Sequence, residues 1–246
     1  MATMPAPAAL PPVNHFGRIV GVFFSPKETF TDIARRPSWV LPVVLLTILG
    51  LCVAYLMNQK IDWESYIRTQ AEKNPRFAQL SEEQKQQQLA PQAKFSPYVA
   101  YAIGGTGTIL ASLILAGIYL GAFNLFSGAG LRFNQSLGIV THGFMPGFLA
   151  AIVIIAILML RPPGESTPEN MLPSHLGTFL SSDAPSWQLS LLSSFELFWF
   201  WEILMFSIGF SAANPKKITV GKAAGIILGI WAIYLVVKVG FAALLS

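Results

Sequence analysis

The sequence predicts an all-α integral membrane bundle of about five transmembrane helices with a short interfacial helix at its N-terminus. Three observations predict it. Residues 37–59, 95–131 and 133–160 carry no charge, and 187–213 and 218–245 are nearly as apolar, with Glu196, Glu202 and Lys238 inside them and Lys222 at the start of the last. Each stretch is long enough for the about 20 helical residues that cross a ~30 Å hydrocarbon core. The composition agrees: 11% of residues are charged and the mean hydropathy is +0.56, whereas soluble domains are about 25% charged.

Composition also excludes function classes. The net charge of +4 comes from bases spread among the loops, without the basic, aromatic-interleaved face of a nucleic-acid binder. Cys52 is the only cysteine, so there is no disulfide framework and no cysteine-built metal site. The spans use so much of the chain that no second globular domain fits. Residues 14–246 therefore read as one membrane domain. Residues 1–13, rich in Ala and Pro, read as a disordered tail without the layout of a cleavable signal peptide. The first span is then expected to act as an uncleaved anchor.

The first element is an N-terminal segment over 14–36. Ser25-Pro26-Lys27-Glu28 has the spacing of a capped helix start, with Pro26 at the first helical position. Phe30, Ile33 and Ala34 share one face of that helix, Arg35-Arg36 ends it and Pro37 stops it. A solvated linker helix is one reading. The reading adopted is an interfacial helix, with Phe23, Phe24 and Phe30 in lipid and the arginines at headgroups.

Span one is expected at 39–57, with Trp39 at headgroup level and Pro42 in the first turn. The polar loop 58–97 contains helical runs near 63–73 and 81–90, the second closed by Pro91. Span two follows at 98–126, opened by Ser96-Pro97, and span three at 136–160. Their glycine-bearing link, 127–132, makes them antiparallel neighbours, and Pro146 should kink span three. After the polar loop 161–186, span four is expected at 190–212 and span five at 220–245. The partner common to all is the lipid bilayer.

Lysines and arginines near the spans favour a cytoplasmic N-terminus and an outside C-terminus. Arg35-Arg36 and Lys216-Lys217 abut their spans, while several bases of the opposite side lie mid-loop among acids. In lipid, helices associate through close packing of small residues. Gly221, Gly225 and Gly229 of span five, Gly117 and Gly121 of span two, and Gly143 and Gly147 of span three are thus expected to mark helix contacts within the bundle. A homo-oligomer interface is their other use.

The intramembrane polar residues are the candidate sites, because an ionisable group at the bilayer centre needs a partner or a task. Glu196 and Lys238 fall at similar depth, so they can pair. Equally, Lys238 can snorkel to the headgroups and Glu196 can sit at the interface. Glu202 lies deeper, near the bilayer middle. His142 in span three reads as a packed, hydrogen-bonded residue. No zinc-protease His-Glu-x-x-His motif and no nucleotide-binding glycine loop occurs, so neither catalysis nor a cofactor is expected.

Two parts of the chain resemble a known family. Ser25-Pro26-Lys27-Glu28-Thr29-Phe30-Thr31-Asp32-Ile33 with Arg35-Arg36-Pro37 looks like the start of prokaryotic Yip-family (Ypt/Rab-interacting-protein-like) domains. Phe198-Trp199 through Gly209-Phe210-Ser211-Ala212, then Lys222-Ala223-Ala224, is similar to their end. The resemblance covers about residues 16–245. It implies a non-enzymatic membrane scaffold or trafficking-like adaptor. With the interfacial N-terminal helix and the glycine ridges, the expected function is an organising or interaction protein of the bacterial inner membrane with an unidentified membrane or cytoplasmic protein partner, its candidate surface carrying Pro26, Phe30, Ile33, Arg35, Arg36 and Pro37. The Asp-Leu-Tyr-Gly-Pro motif of the eukaryotic, Rab-interacting branch is missing, so no Rab partner carries over. The alternative function is a small transporter or channel subunit using Glu202.

Overall fold

The computed structural model describes residues 14–72, 75–181 and 184–244; the expected tail, 1–13, lies outside them. The first two helices, α1 (His15–Phe24) and α2 (Pro26–Arg35), form a tight hairpin. Asn14 caps α1 by accepting from the Gly17 amide at 2.6 Å. The two helices meet so closely at Gly21 that a Cβ there would overlap the Thr29 hydroxyl. The expected Ser25 cap does not form: Ser25 makes no side-chain cap bond, because its own backbone closes α1 through Gly21.

Among the described residues, four helical stretches are long and apolar enough to span a bilayer: Val40–Lys60 (α3), Glu82–Ser127, Phe133–Leu160 and Val220–Leu244. Between α3 and the second stretch lie the short polar helices α4 (Trp63–Glu72) and α5 (Pro75–Ala78). The second stretch, α6, is one helix of 46 residues, about 69 Å long, where the sequence predicts two helices broken at Pro91 and Pro97. Both prolines lie in the polar half of α6, among exposed or half-buried residues. The carbonyls left free by the missing proline N–H groups are those of Gln87 and Ala93, on exposed or half-buried residues open to water.

Span three is broken into α7 (Phe133–Gly143) and α8 (Met145–Leu160) at Phe144, with Pro146 in the first turn of α8. Span four is also broken. A short helix α9 (Ser186–Leu192) ends before a non-helical link, and α10 (Leu197–Ala213) begins only after Glu196. Within that link Glu196 pairs with His175 in an antiparallel bridge, which replaces the expected continuous helix. The last helix, α11 (Val220–Leu244), is continuous.

Fixed contacts give the register. Ser38 and Pro37, just before α3, touch Gly138 of α7. At the other end the Lys60 ammonium reaches the Arg161 carbonyl at 2.7 Å, and the Gly164 amide reaches the Lys60 carbonyl at 2.7 Å. Thus α3 and α7–α8 cross the bundle side by side in one direction. Antiparallel to them runs α6: Ser136 Oγ donates to the Ala116 carbonyl at 2.7 Å, and Gly50 of α3 meets Gly104 of α6. Between α6 and α7 the chain turns at Gly128 (φ 54°) and Gly130 (φ 66°), conformations that favour glycine. Asn214 donates to the Ala129 carbonyl at 2.8 Å, and Lys217 bonds the Gly128 carbonyl. The α6–α7 and α10–α11 turns therefore lie at the same end of the bundle.

The core is aromatic. Phe123 of α6 stacks on Phe210 of α10 with centroids 4.3 Å apart, and Tyr119, Phe206 and Phe144 surround them. The outer surface is apolar too: Ile103, Ile233, Val236 and Leu244 are all more than 60% exposed. In water such a surface would aggregate; in lipid it is the ordinary exterior of a bundle whose backbone bonds are closed within helices.

Candidate functional site

The N-terminal hairpin is part of the protein core. Phe30 and Ile33 are fully buried, Phe30 against Gly209 of α10 and Ile33 against Gly138 of α7. This corrects the expectation that Phe30 lies in lipid and that Ile33 is open to a partner. The apolar face of α2 finds two glycine-lined helices before it finds lipid, and Pro26 is half-buried as well. Lipid is left to α1, where Phe16, Val20 and Phe24 recur at four-residue spacing and are exposed. From the expected interaction set only Arg35, Arg36 and Pro37 stand exposed.

A buried ion pair locks the hairpin, and little in the sequence announces it. Arg18 is 3% exposed. Its guanidinium holds Asp32 through Nε (2.8 Å) and Nη2 (2.7 Å), the Arg36 carbonyl (2.9 Å) and the Ser38 hydroxyl (2.6 Å). One side chain thus ties α1 to α2 and both to the start of α3, in the planar, multi-donor geometry that arginine supplies and lysine does not. The available signal was a single arginine inside an otherwise uncharged apolar helix. Further along, Gln135 of α7 donates to the Ala34 carbonyl at 2.9 Å and closes the end of α2.

Glu196, Lys238 and His142 each have a hydrogen-bond partner, and Glu202 packs against Gly147. Glu196 is the N-cap of α10: its Oε2 accepts from the Trp199 amide at 2.9 Å, while Ser174 donates to Oε1. Lys238 donates to the Ser194 hydroxyl at 2.8 Å, and no Glu196–Lys238 ion pair forms among the described residues. The two residues share a neighbourhood, but the cap has already engaged both carboxylate oxygens. His142 Nδ1 lies 2.8 Å from the Gly138 carbonyl one turn back. Glu202 reaches across from α10 to Gly147 in the first turn of α8, where a Cβ would lie 2.8 Å from its Oε1. The Gly147 amide itself donates to the Phe144 carbonyl at 2.9 Å. A carboxyl at a helix N-terminus meets the positive end of the helix dipole, so Glu202 sits where the start of α8 favours negative charge.

A comparison with family models decides the identity: the Yip1 domain matches residues 20–241. The chain belongs to the Yip1 domain family. No curated protein and no solved structure matches it. Yip1-family proteins are non-enzymatic membrane proteins. In this Yip1 domain the matched residues run from within α1 to near the end of α11, so Asp32 lies inside the match and its partner Arg18 just before it.

The glycines of the Yip1 domain need a correction. A Cβ on Gly143 would strike the Phe206 ring, and one on Gly147 would lie 2.8 Å from Glu202 Oε1. Gly117, Gly121, Gly221, Gly225 and Gly229 instead have nothing within 4 Å of such a Cβ and are exposed. They are not contacts within the bundle. The close backbone crossing lies at Gly50 and Gly104, where each would place its Cβ on the other's carbonyl. Four-residue spacing picked the exposed faces because it records what a helix surface permits, not which neighbour is present.

The packing of Glu202 against Gly147 has a measurable consequence. Glu202→Gln retains a polar side chain of the same shape and should unfold in detergent within about 0.5 kcal/mol of the parent. Glu202→Leu removes the oxygen beside the start of α8 and should cost about 1–2 kcal/mol, read from denaturant midpoints. Equal stability of the two variants would exclude a stabilising role for that oxygen.

Proposed function

We propose that this Yip1 domain is a membrane organising or protein-interaction scaffold of the bacterial inner membrane, with its N-terminus cytoplasmic and its C-terminus outside. One observation carries the reading. The end of the bundle that holds the hairpin and the α6–α7 and α10–α11 turns has eight bases (Arg18, Lys27, Arg35, Arg36, Arg132, Lys216, Lys217 and Lys222) and two acids, Glu28 and Asp32. Arg18 and Asp32 neutralise each other internally, so the surface that remains is strongly cationic. Basic segments beside spans stay cytoplasmic, and a fixed cationic surface selects an acidic partner and steers its approach. The resemblance to prokaryotic Yip-family domains supports the bacterial membrane.

Deleting the hairpin cannot test this, because Phe30 and Ile33 would leave a hole in the core. Charge reversal of exposed bases can. Arg36→Glu with Lys216→Glu should abolish most crosslinked capture of proteins from native membranes, while Lys85→Glu in the polar half of α6 leaves capture unchanged. Undiminished capture by the double variant would remove this face from the function. The transporter alternative through Glu202 has weaker support, since that side chain packs against Gly147 of the neighbouring helix.

A further inference from the structure

Beside α2 lies a hollow of about 750 Å³ with an unusual division of its lining. One wall is the apolar flank of α10 and the start of α11, including Leu204, Ile208, Ala212 and Val220. Leu204 and Val220 are each more than 40% exposed. The opposite wall, from α2, carries Lys27 and Arg35. A second hollow of about 360 Å³ adjoins the first through Ala34, Arg35 and Gln135 and adds Arg132. Neither hollow is lined by a carboxylate. Among the described residues the ion pairs are Arg18–Asp32, Arg68–Glu82 and Lys85–Glu82, so Lys27, Arg35 and Arg132 are in none of them.

We propose that this groove binds one anionic phospholipid, its phosphodiester between Arg35 and Arg132 and an acyl chain along α10. The charge distribution selects the occupant. Arginines present paired N–H donors that match phosphate oxygens, and basic pockets between membrane helices suit anionic headgroups. From Ala213 to Leu204 the apolar wall extends about 13 Å along α10, the length of roughly ten methylenes. An acidic peptide would satisfy the arginines but leave that wall uncovered. Residues 1–13 contain no acid, so the chain's own start lacks the complementary charge. The site stands whether or not the cationic face also recruits a protein, and its test uses purified protein alone.

The full-length protein, purified in a neutral detergent, is mixed with phosphatidylglycerol, with phosphatidylcholine of the same chains, or with glycerol 3-phosphate. Bound lipid is read by native mass spectrometry and by the rise in Tm. One phosphatidylglycerol should be retained at least tenfold more strongly than phosphatidylcholine, with glycerol 3-phosphate giving no shift. Arg35→Gln with Arg132→Gln should weaken retention about tenfold or more. Arg36→Gln with Lys216→Gln removes as much charge from outside the groove and should leave retention unchanged. Leu204→Trp should weaken retention without altering charge. Equal retention of the two lipids, or an equal loss in both double variants, would overturn the site. A Tm measured without lipid checks that each variant is folded.

Discussion

Replacing Asp32 by alanine should destabilise the protein by about 3–5 kcal/mol, the cost of removing one partner from a buried ion pair. The asymmetry of the pair sets the ranking of its variants. The Arg18 side chain is 4% exposed and that of Asp32 16%. Without Asp32 a guanidinium remains enclosed with only the Arg36 carbonyl and the Ser38 hydroxyl as acceptors. Without Arg18 the carboxylate has a partial path to water, so Arg18→Leu should cost less than Asp32→Ala. Arg18→Leu combined with Asp32→Leu should recover much of the loss, because an apolar pair of similar volume avoids desolvating two charges. Denaturant unfolding in detergent, run as a double-mutant cycle, measures the coupling. A coupling near zero would show that the hairpin is not held by this pair. The effect should also reach beyond the hairpin, since Phe30 and Ile33 fill the space over Gly209 and Gly138.

Gly104→Leu should be the most damaging single glycine substitution in the spans. A Cβ at Gly104 would stand 2.5 Å from the Gly50 carbonyl oxygen and 2.8 Å from its carbon. Those are backbone atoms of α3 and cannot rotate away. The helices must separate, and overpacking of this kind typically costs about 1–3 kcal/mol even for a small added group. Gly104→Ala should fall in that range, while the leucine variant should prevent recovery of folded protein. Gly117→Ala, Gly121→Ala, Gly225→Ala and Gly229→Ala should each unfold within about 0.5 kcal/mol of the parent, since no atom stands where their Cβ would go. Recovery and unfolding of all six variants side by side give the comparison. A benign Gly104→Leu would mean that α3 and α6 do not cross at this point.

Much of the fold was legible from hydropathy, because lipid imposes one rule on every span: enough uncharged residues to cross, with backbone bonds closed inside the helix. The breaks were harder to read. Pro146 announced the one in span three, but the one before α10 follows from Glu196 accepting the Trp199 amide and from the bridge to His175. Neither leaves a local mark beyond a glutamate in an apolar run. Pro91 and Pro97 misled in the other direction, since a helix in water can hold a proline where solvent satisfies the freed carbonyl. Among the polar residues, the list of unusual groups was legible and the partners were not. Glu202 meets Gly147 and Lys238 meets Ser194 only through packing between separate helices.

By itself the sequence determined that this chain is a helical membrane protein with a family resemblance running from its N-terminal segment to its last span. Those properties depend on local composition and short motifs, which the chain carries wherever it folds. The tertiary structure alone decided that the N-terminal segment is a core hairpin locked by Arg18 and Asp32, that Glu202 packs against a broken neighbour, and that Gly50 and Gly104 form the close crossing. Each of these depends on which helix lies beside which. In lipid that choice rests on van der Waals fit and buried polar contacts rather than on hydrophobic patterning, and such fit is not written in the periodicity of any one helix.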